Sequence, residues 1–422
     1  MTAVVASGLM GSISGSSVAN TVTTGAFTIP LMKKTGYKPH FAGAVEAASS
    51  TGGQIMPPVM GAAAFIMAEF TGISYLNIIA AAAIPAILYY FAVGTMVHLE
   101  ASKLGLKGIP KEELPKLGKI LMKEGYLLIP LFFIIFYLIK GYTATIAAFY
   151  SIIISIVIAG AASFIKKDKS FGLKEFKDAL EAGAKGSVGV ACACACAGMI
   201  VGVVTLTGLG LRIAELIVAL AQGKLLLTLF FTMIASIILG MGLPTTAKYI
   251  VLATMAVPAL VNLEVNLMAA HLFILYFGVV ADITPPVALA AYAGAGIAGA
   301  NSMKTGFQAV KLASAAFIVP YIFAMDPSLI MVKEVVGTTV TFIPFISAIP
   351  LILSAILGIV CLAGAVEGYL VDSCRSYERL LLAVAALLLL KPGLLTDGFG
   401  LLVLIGIYIL QKNRIKHLNL VS

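Results

Sequence analysis

Apolar residues run through this chain in blocks about half or one bilayer long, at 1.5 Å per helical residue. The polar positions between them are few and clustered. Two clusters break apolar sequence with Gly, Pro and small hydroxyl or amide side chains. One is Gly11-Ser12-Ile13-Ser14-Gly15-Ser16-Ser17-Val18-Ala19-Asn20-Thr21, the other Gly240-Met241-Gly242-Leu243-Pro244-Thr245-Thr246-Ala247-Lys248. Backbone interrupted in this way leaves N–H and C=O groups unpaired, at a cost of several kcal/mol each in hydrocarbon, so it must be packed in protein or line a polar cavity. Each cluster predicts a re-entrant helical hairpin, one over 2–32 and one over 225–262. A pair of interrupted apolar segments is also the sequence mark of a transporter's binding site.

Each hairpin has a companion break. Ser49-Ser50-Thr51-Gly52-Gly53-Gln54-Ile55-Met56-Pro57-Pro58-Val59 follows the first, and Val280-Ala281-Asp282-Ile283-Thr284-Pro285-Pro286-Val287 the second. Gln54/Asp282, Ile55/Ile283, Pro57/Pro285, Pro58/Pro286, Val59/Val287, Ala62/Ala290 and Ala63/Ala291 align at one offset of 228 residues. Gly15 precedes Gln54 by 39 residues and Gly242 precedes Asp282 by 40. Two motifs in one order at one spacing indicate an internal duplication. Pro-Pro within an apolar span removes donors and clashes with the preceding turn, so the spans 41–71 and 268–300 are predicted to be broken helices.

The remaining pattern predicts a continuous span at 75–97, spans at 126–139 and 142–165, a span at 189–210 and a short interfacial helix at 211–223. Charged connectors occupy 98–125 and 166–188, the latter in part an amphipathic helix. Further helices fall at 307–325 and 337–371. The tail, 380–411, is either one span or a shallow hairpin around Lys391-Pro392-Gly393. The chain thus divides into a first half-site (1–97), connecting helices (98–224), a second half-site (225–325) and a C-terminal membrane extension (326–422).

Composition agrees. Charged residues are 11% of the chain and mean hydropathy is +1.06, against about 25% charged in a soluble domain. The fold class is an all-α polytopic membrane protein. The net charge of +9 is accounted for by loops rather than by nucleic-acid binding. If the loop at 33–40 is cytoplasmic, the alternate loops hold sixteen Lys and Arg, while the opposite loops hold only Lys140, Arg212, Lys224 and Lys333. That asymmetry sets orientation. Five spans between the hairpins make them enter from opposite faces, an inverted-topology repeat. Cys192, Cys194 and Cys196 alternate with Ala and have no adjacent His or carboxylate, so they are read as small packing residues.

A broken helix offers free N–H groups at one half-helix start and free carbonyls at the other half's end. The first suit an anionic group and the second a hard cation. Gly15, Ser16, Ser17, Val18, Thr51, Gly52 and Gly53 supply oxygens for one cation; Gly242, Thr245, Thr246, Thr284 and Pro285 supply them for another. Ser16, Ser17, Asn20, Thr245 and Thr246 are also donors for a substrate. Asp282 is either an ion, proton or substrate-linked group, or a cap on the broken helix. Lys248 pairs with a substrate carboxylate or with Asp282, or snorkels. Glu46 and Glu69 are expected at the interface, His271 in the core, and Asn301 at a helix cap. No Gly-rich loop ends in Lys-Ser/Thr, so the chain is not expected to hydrolyse ATP. His271 and Asp282 lack a nucleophile beside them, which argues against an intramembrane enzyme.

The segments 11–20, 51–58, 240–247 and 282–290, with Phe27–Gly36, resemble the large membrane subunit of tripartite ATP-independent periplasmic (TRAP) transporters. The wording at 51–58 is similar to the form in which small and large subunits are fused. The likeness covers about 2–325; residues beyond about 330 resemble the C-terminal extension of some fused members. It implies an elevator-type secondary transporter in the cytoplasmic membrane. An extracytoplasmic solute-binding protein would deliver a dicarboxylate-like or other organic acid, driven by a Na⁺ or H⁺ gradient with no other cofactor. The family's sodium sites correspond here to Ser16 through Val18 with Thr51 to Pro57, and to Gly242 through Thr246 with Thr284 and Pro285. Proton coupling, as in some fused members, would favour Asp282. The family's scaffold and small-subunit helices are expected to come from outside this sequence; the competing expectation is a truncated, non-transporting fragment or assembly partner. A further alternative is an inverted-repeat carboxylate symporter without a binding protein.

Overall fold

The computed structural model describes residues 1–108, 117–166 and 171–421. They fall into two compact units, one made of 1–73, 77–107 and the chain from 197 onward, the other of 74–76 and the described part of 108–196.

The first repeat opens with α1 (Thr2–Ser14) and α2 (Ser17–Lys34), which fold back on each other. Gly15 makes the turn at φ +66°, a left-handed conformation that glycine adopts freely. Ser16 caps α2 by accepting from the Ala19 N–H at 3.3 Å. The broken helix follows as α3 (Pro39–Gly53) and α4 (Gly61–Thr71), and α5 (Tyr75–Lys103) closes the repeat. Next come α6 (Leu117–Glu124), α7 (Ile129–Ile139), α8 (Ala144–Lys166), α9 (Leu173–Thr207) and α10 (Leu209–Leu220).

The second repeat runs α11 (Leu225–Gly240), α12 (Thr245–Met255), α13 (Val257–Val261), α14 (Leu267–Val280), α15 (Leu289–Ala298), α16 (Ser302–Leu312) and α17 (Ser314–Met325). Asn301 caps α16, accepting from the Lys304 N–H at 2.9 Å. The chain ends with β1 (Val332–Val336), β2 (Thr339–Phe342), α18 (Phe345–Glu367), α19 (Ser376–Leu390) and α20 (Leu394–Val421). Among the described residues, seven helices are long and apolar enough to cross a membrane.

Three expectations need correction. Residues 173–188, expected in part as an amphipathic helix within a connector, are continuous with the next span as the first half of the 35-residue α9. Its Lys, Glu and Ala residues are strong helix formers, and Lys185 pairs with Glu181 one turn away at 2.6 Å. Residues 109–116 and 167–170 of the two expected connectors lie outside the described residues. The apolar run at 337–371 begins not as a helix but in an antiparallel hairpin, with Gly337 turning at φ +58°, β-branched Val on both strands and Thr on the second. The cysteine run is largely exposed on α9, so the close packing expected from its small residues is not made among the described residues. The tail resolves into two helices that turn at Lys391-Pro392-Gly393. Their ends are clamped at buried Glu378, which pairs with Arg414 and accepts from Gln411 Nε2 at 3.0 Å.

Glycine lets the helices of each repeat touch backbone to backbone. A side chain at Gly11 would meet Ser50 O and Gly53 Cα at 3.1 Å; one at Gly240 would meet Gly278 O at 3.3 Å and Ala281 Cβ at 3.4 Å. Gly11/Gly240, Ser50/Gly278 and Gly53/Ala281 lie 229, 228 and 228 residues apart in sequence. The breaks correspond as well. Met60 and Ala288, 228 apart, both take positive φ just before the second half-helix, and both Pro-Pro bonds are cis.

Candidate functional site

The ends of the broken elements converge, and the two repeats meet there through crossed hydrogen bonds. Ser17, at the start of α2, donates to Asp282 Oδ2 at 2.7 Å. Its repeat partner Thr245, at the start of α12, donates to Gln54 Oε1 and lies 3.3 Å from Gly15 O. Gln54 and Asp282, themselves repeat partners, are joined by Gln54 Nε2 donating to Asp282 Oδ2 at 3.3 Å. Residues related by a two-fold touch each other only beside its axis, so this pair marks the pseudo-two-fold of the duplication.

The axis is charged on one side only. Lys248 Nζ donates to Asp282 Oδ1 at 2.5 Å, with side-chain exposures of 1% and 7%. Burial of either ion alone would be prohibitive; paired, each satisfies the other. The corresponding pair in the first half is Asn20 and Gln54, both neutral. Asn20 instead donates to Ser7 O (2.9 Å), Ser7 Oγ (3.0 Å) and Ser50 Oγ (2.9 Å), which ties the first hairpin to α3.

The other sequence candidates sit around this centre. Ser16 and Val18 are half-buried at the α1–α2 turn, with Thr51, Gly52 and Gly53 in the last turn of α3 and Pro57 in the break beyond. Gly242 is exposed in the α11–α12 turn, with open space where a side chain would stand. Thr246 is buried in the first turn of α12. Thr284 turns its hydroxyl back onto Val280 O at 2.8 Å, and Pro285 packs under Gly306. The hydroxyls of Thr51 and Thr246 and Asn20 Oδ1 are buried without a hydrogen-bond partner. Oxygen groups of this kind, beside the carbonyl ends of α1 and α3, are the donor set a hard cation takes.

Sequence reasoning missed Ser7, Ser50 and Glu46. Ser7 and Ser50 are joined at 2.8 Å. Glu46, expected at an interface, is fully buried among the Thr24, Thr28 and Ser50 hydroxyls, whereas Glu69 is exposed. Gln54 was legible only as the neutral counterpart of Asp282. His271 is in the core, 2.7 Å from the Tyr249 hydroxyl.

Comparison with known proteins supplies a lineage for this geometry. Residues 1–338 match the family model described as the DctM component of the tripartite ATP-independent periplasmic transporter. The chain is 24% identical over 344 residues to the sialic acid TRAP transporter permease protein SiaT of Haemophilus influenzae (strain 86-028NP), covering 80% of this chain and 52% of that protein. It is 30% identical over 157 residues to the uncharacterized protein YgiK of Salmonella typhimurium (strain LT2), covering 37% of this chain and 36% of that one. The chain therefore spans about half the length of SiaT. It belongs to the DctM-component family of TRAP transporters, inner-membrane transport proteins rather than enzymes.

Proposed function

We propose that this chain is the permease component through which an organic acid enters the cell, handed over by an extracytoplasmic solute-binding protein and driven by a Na⁺ or H⁺ gradient. The observation that carries this reading is the convergence of two duplicated helix breaks on the Gln54–Asp282 axis. The starts of α2 and α12 present N–H groups suited to a carboxylate. Lys248 is engaged by Asp282, so the substrate's charge falls to those N–H groups and to Ser16 and Thr246. The unpartnered oxygens of Thr51 and Thr246 support cation sites on either side. Sialic acid, named for the relative SiaT, is a carboxylic acid, and dicarboxylates share that group. In this reading the two hairpins re-enter the membrane from opposite faces and move as one body with the broken helices.

Proteoliposomes holding the chain and its binding protein are expected to take up labelled sialic acid or a C4-dicarboxylate only when the binding protein and one imposed gradient are both present. Sodium and proton gradients are applied separately. Recovery of uptake only after the family's further membrane helices are co-reconstituted would make this chain one part of the permease. No uptake in any combination would favour an assembly partner that does not transport.

A further inference from the structure

Glu46 is a fully buried carboxyl group with no cation. Its Oε1 contacts the hydroxyls of Thr24 and Ser50, the latter at 3.2 Å, and its Oε2 contacts the Thr28 hydroxyl at 2.5 Å. Gly25 lies over it, where a side chain would come within 3.1 Å of Glu46 Cγ.

The charged and titratable groups on the packed elements are engaged elsewhere or lie at helix ends. On α2, Lys33 donates to Ala298 O at 2.8 Å, and Lys34 is exposed in the last turn. On α5, Tyr89 and Tyr90 donate to Ala48 O and Ser49 O at 2.7 and 2.6 Å, while His98, Glu100 and Lys103 lie in the final turns. On α14, His271 meets Tyr249, and Tyr276 is buried. Tyr292 of α15 donates to Pro286 O, and Lys311 of α16 pairs with Glu367, with Lys304 exposed. On α3 itself, His40 stands in the first turn; α1 holds only the Met1 amino group. Among the described residues no Lys, Arg or His reaches Glu46 within 4 Å.

The shell around Glu46 offers hydroxyl hydrogens but no counter-charge for an ionised group. Thr24 Oγ1 lies within reach of both Asn20 O, at 2.7 Å, and Glu46; Thr28 Oγ1 lies within reach of both Thr24 O, at 3.1 Å, and Glu46. Each hydroxyl has one hydrogen to give. With Ser50, three hydroxyl hydrogens and no cation face a carboxyl group removed from water, where a full negative charge is expensive. A proton on Glu46 removes the uncompensated charge: the acid donates to one threonine oxygen, and that hydroxyl's hydrogen turns to the backbone carbonyl within its reach. Asp282 needs no such repair, because Lys248 already compensates it.

We propose that Glu46 is an exchangeable proton-binding site and that, given the permease reading above, the proton it carries is the coupling ion. One proton is gained as the carboxylate becomes the acid and lost in the reverse step, with no other bond changed. Infrared difference spectroscopy on the purified chain tests the site, and proteoliposome transport tests the coupling. The expected results are a carboxylic-acid carbonyl band that grows toward low pH and is missing in Glu46→Gln, and a Glu46→Gln variant that still exchanges internal for external substrate but loses proton-driven accumulation. No such band, or a band that persists in Glu46→Gln or that no change of pH moves, overturns the site. Proton-driven accumulation retained by a folded Glu46→Gln overturns the coupling and leaves the permease standing. A wild type inert in every transport arm but showing the band overturns the permease reading and with it the coupling role, and leaves the site. Glu46→Asp, which keeps the acid, is expected to restore part of the driven uptake.

Discussion

Asp282→Asn is expected to destabilise the protein by about 3–5 kcal/mol and to abolish driven uptake. The amide still offers Ser17 an acceptor, but it leaves the Lys248 ammonium, 1% exposed, without a counter-charge. Lys248→Met should cost about as much, because it strands the carboxylate instead. The double variant Lys248→Met/Asp282→Asn removes both charges and is expected to be more stable than either single one. Thermal unfolding in detergent of the four proteins gives the coupling as a double-mutant cycle. If the double variant is no better than the sum of the singles, the two groups are not a working pair and the charged side of the axis is misassigned.

Gly53→Ala is the second change expected to be severe. Its new methyl would lie 2.4 Å from Gly11 C, 2.5 Å from Gly11 Cα and 2.8 Å from Ser12 N, all backbone atoms that cannot rotate away. The first hairpin must lift from α3, at a cost of about 1–3 kcal/mol or more. The shift would carry Gly15 and Ser17 off their partners Thr245 and Asp282, so transport should fall further than stability alone predicts. Gly296→Ala is the matched control. That glycine is exposed on α15 with nothing within 4 Å of the added carbon, and alanine's helix propensity favours the change by up to about 1 kcal/mol. Comparable melting temperatures for the two variants would mean that the α1–α3 approach is looser than described.

What the sequence made legible was local. Gly15, Gly242 and the Pro-Pro pairs break helices by their own covalent geometry, so the hairpins and broken helices stand where the residues put them. The offset of 228 made the duplication visible without any contact. Glu46 was misread because a lone carboxylate eight residues into an apolar helix looks like an interface group. Its partners, Thr24 and Thr28, come from another helix and are ordinary-looking hydroxyls. The pairing of Lys248 with Asp282 stayed open for the same reason, since 34 residues of chain separate them. The hairpin at 332–342 was hidden by its apolar surroundings, although its Val and Thr content and Gly337 carried a strand signal. The helix in 166–188 was expected only in part and apart from the next span, because its charge hid its continuity with the apolar half of α9.

The contact between Gln54 and Asp282 also bears on how such a molecule arose. Were the two halves separate, identical polypeptides assembled as a homodimer, position 54 would face its own copy across the axis. Two carboxylates there would repel, whereas two amides pair without penalty. The ion pair in the second half therefore belongs to a chain whose halves are fused, where one copy of the position is free to become acidic while the other stays neutral. Fusion lets lysine and aspartate be acquired in one half without being imposed on the other. The two halves then present different electrostatic fields at the axis, which a strictly symmetric dimer cannot do.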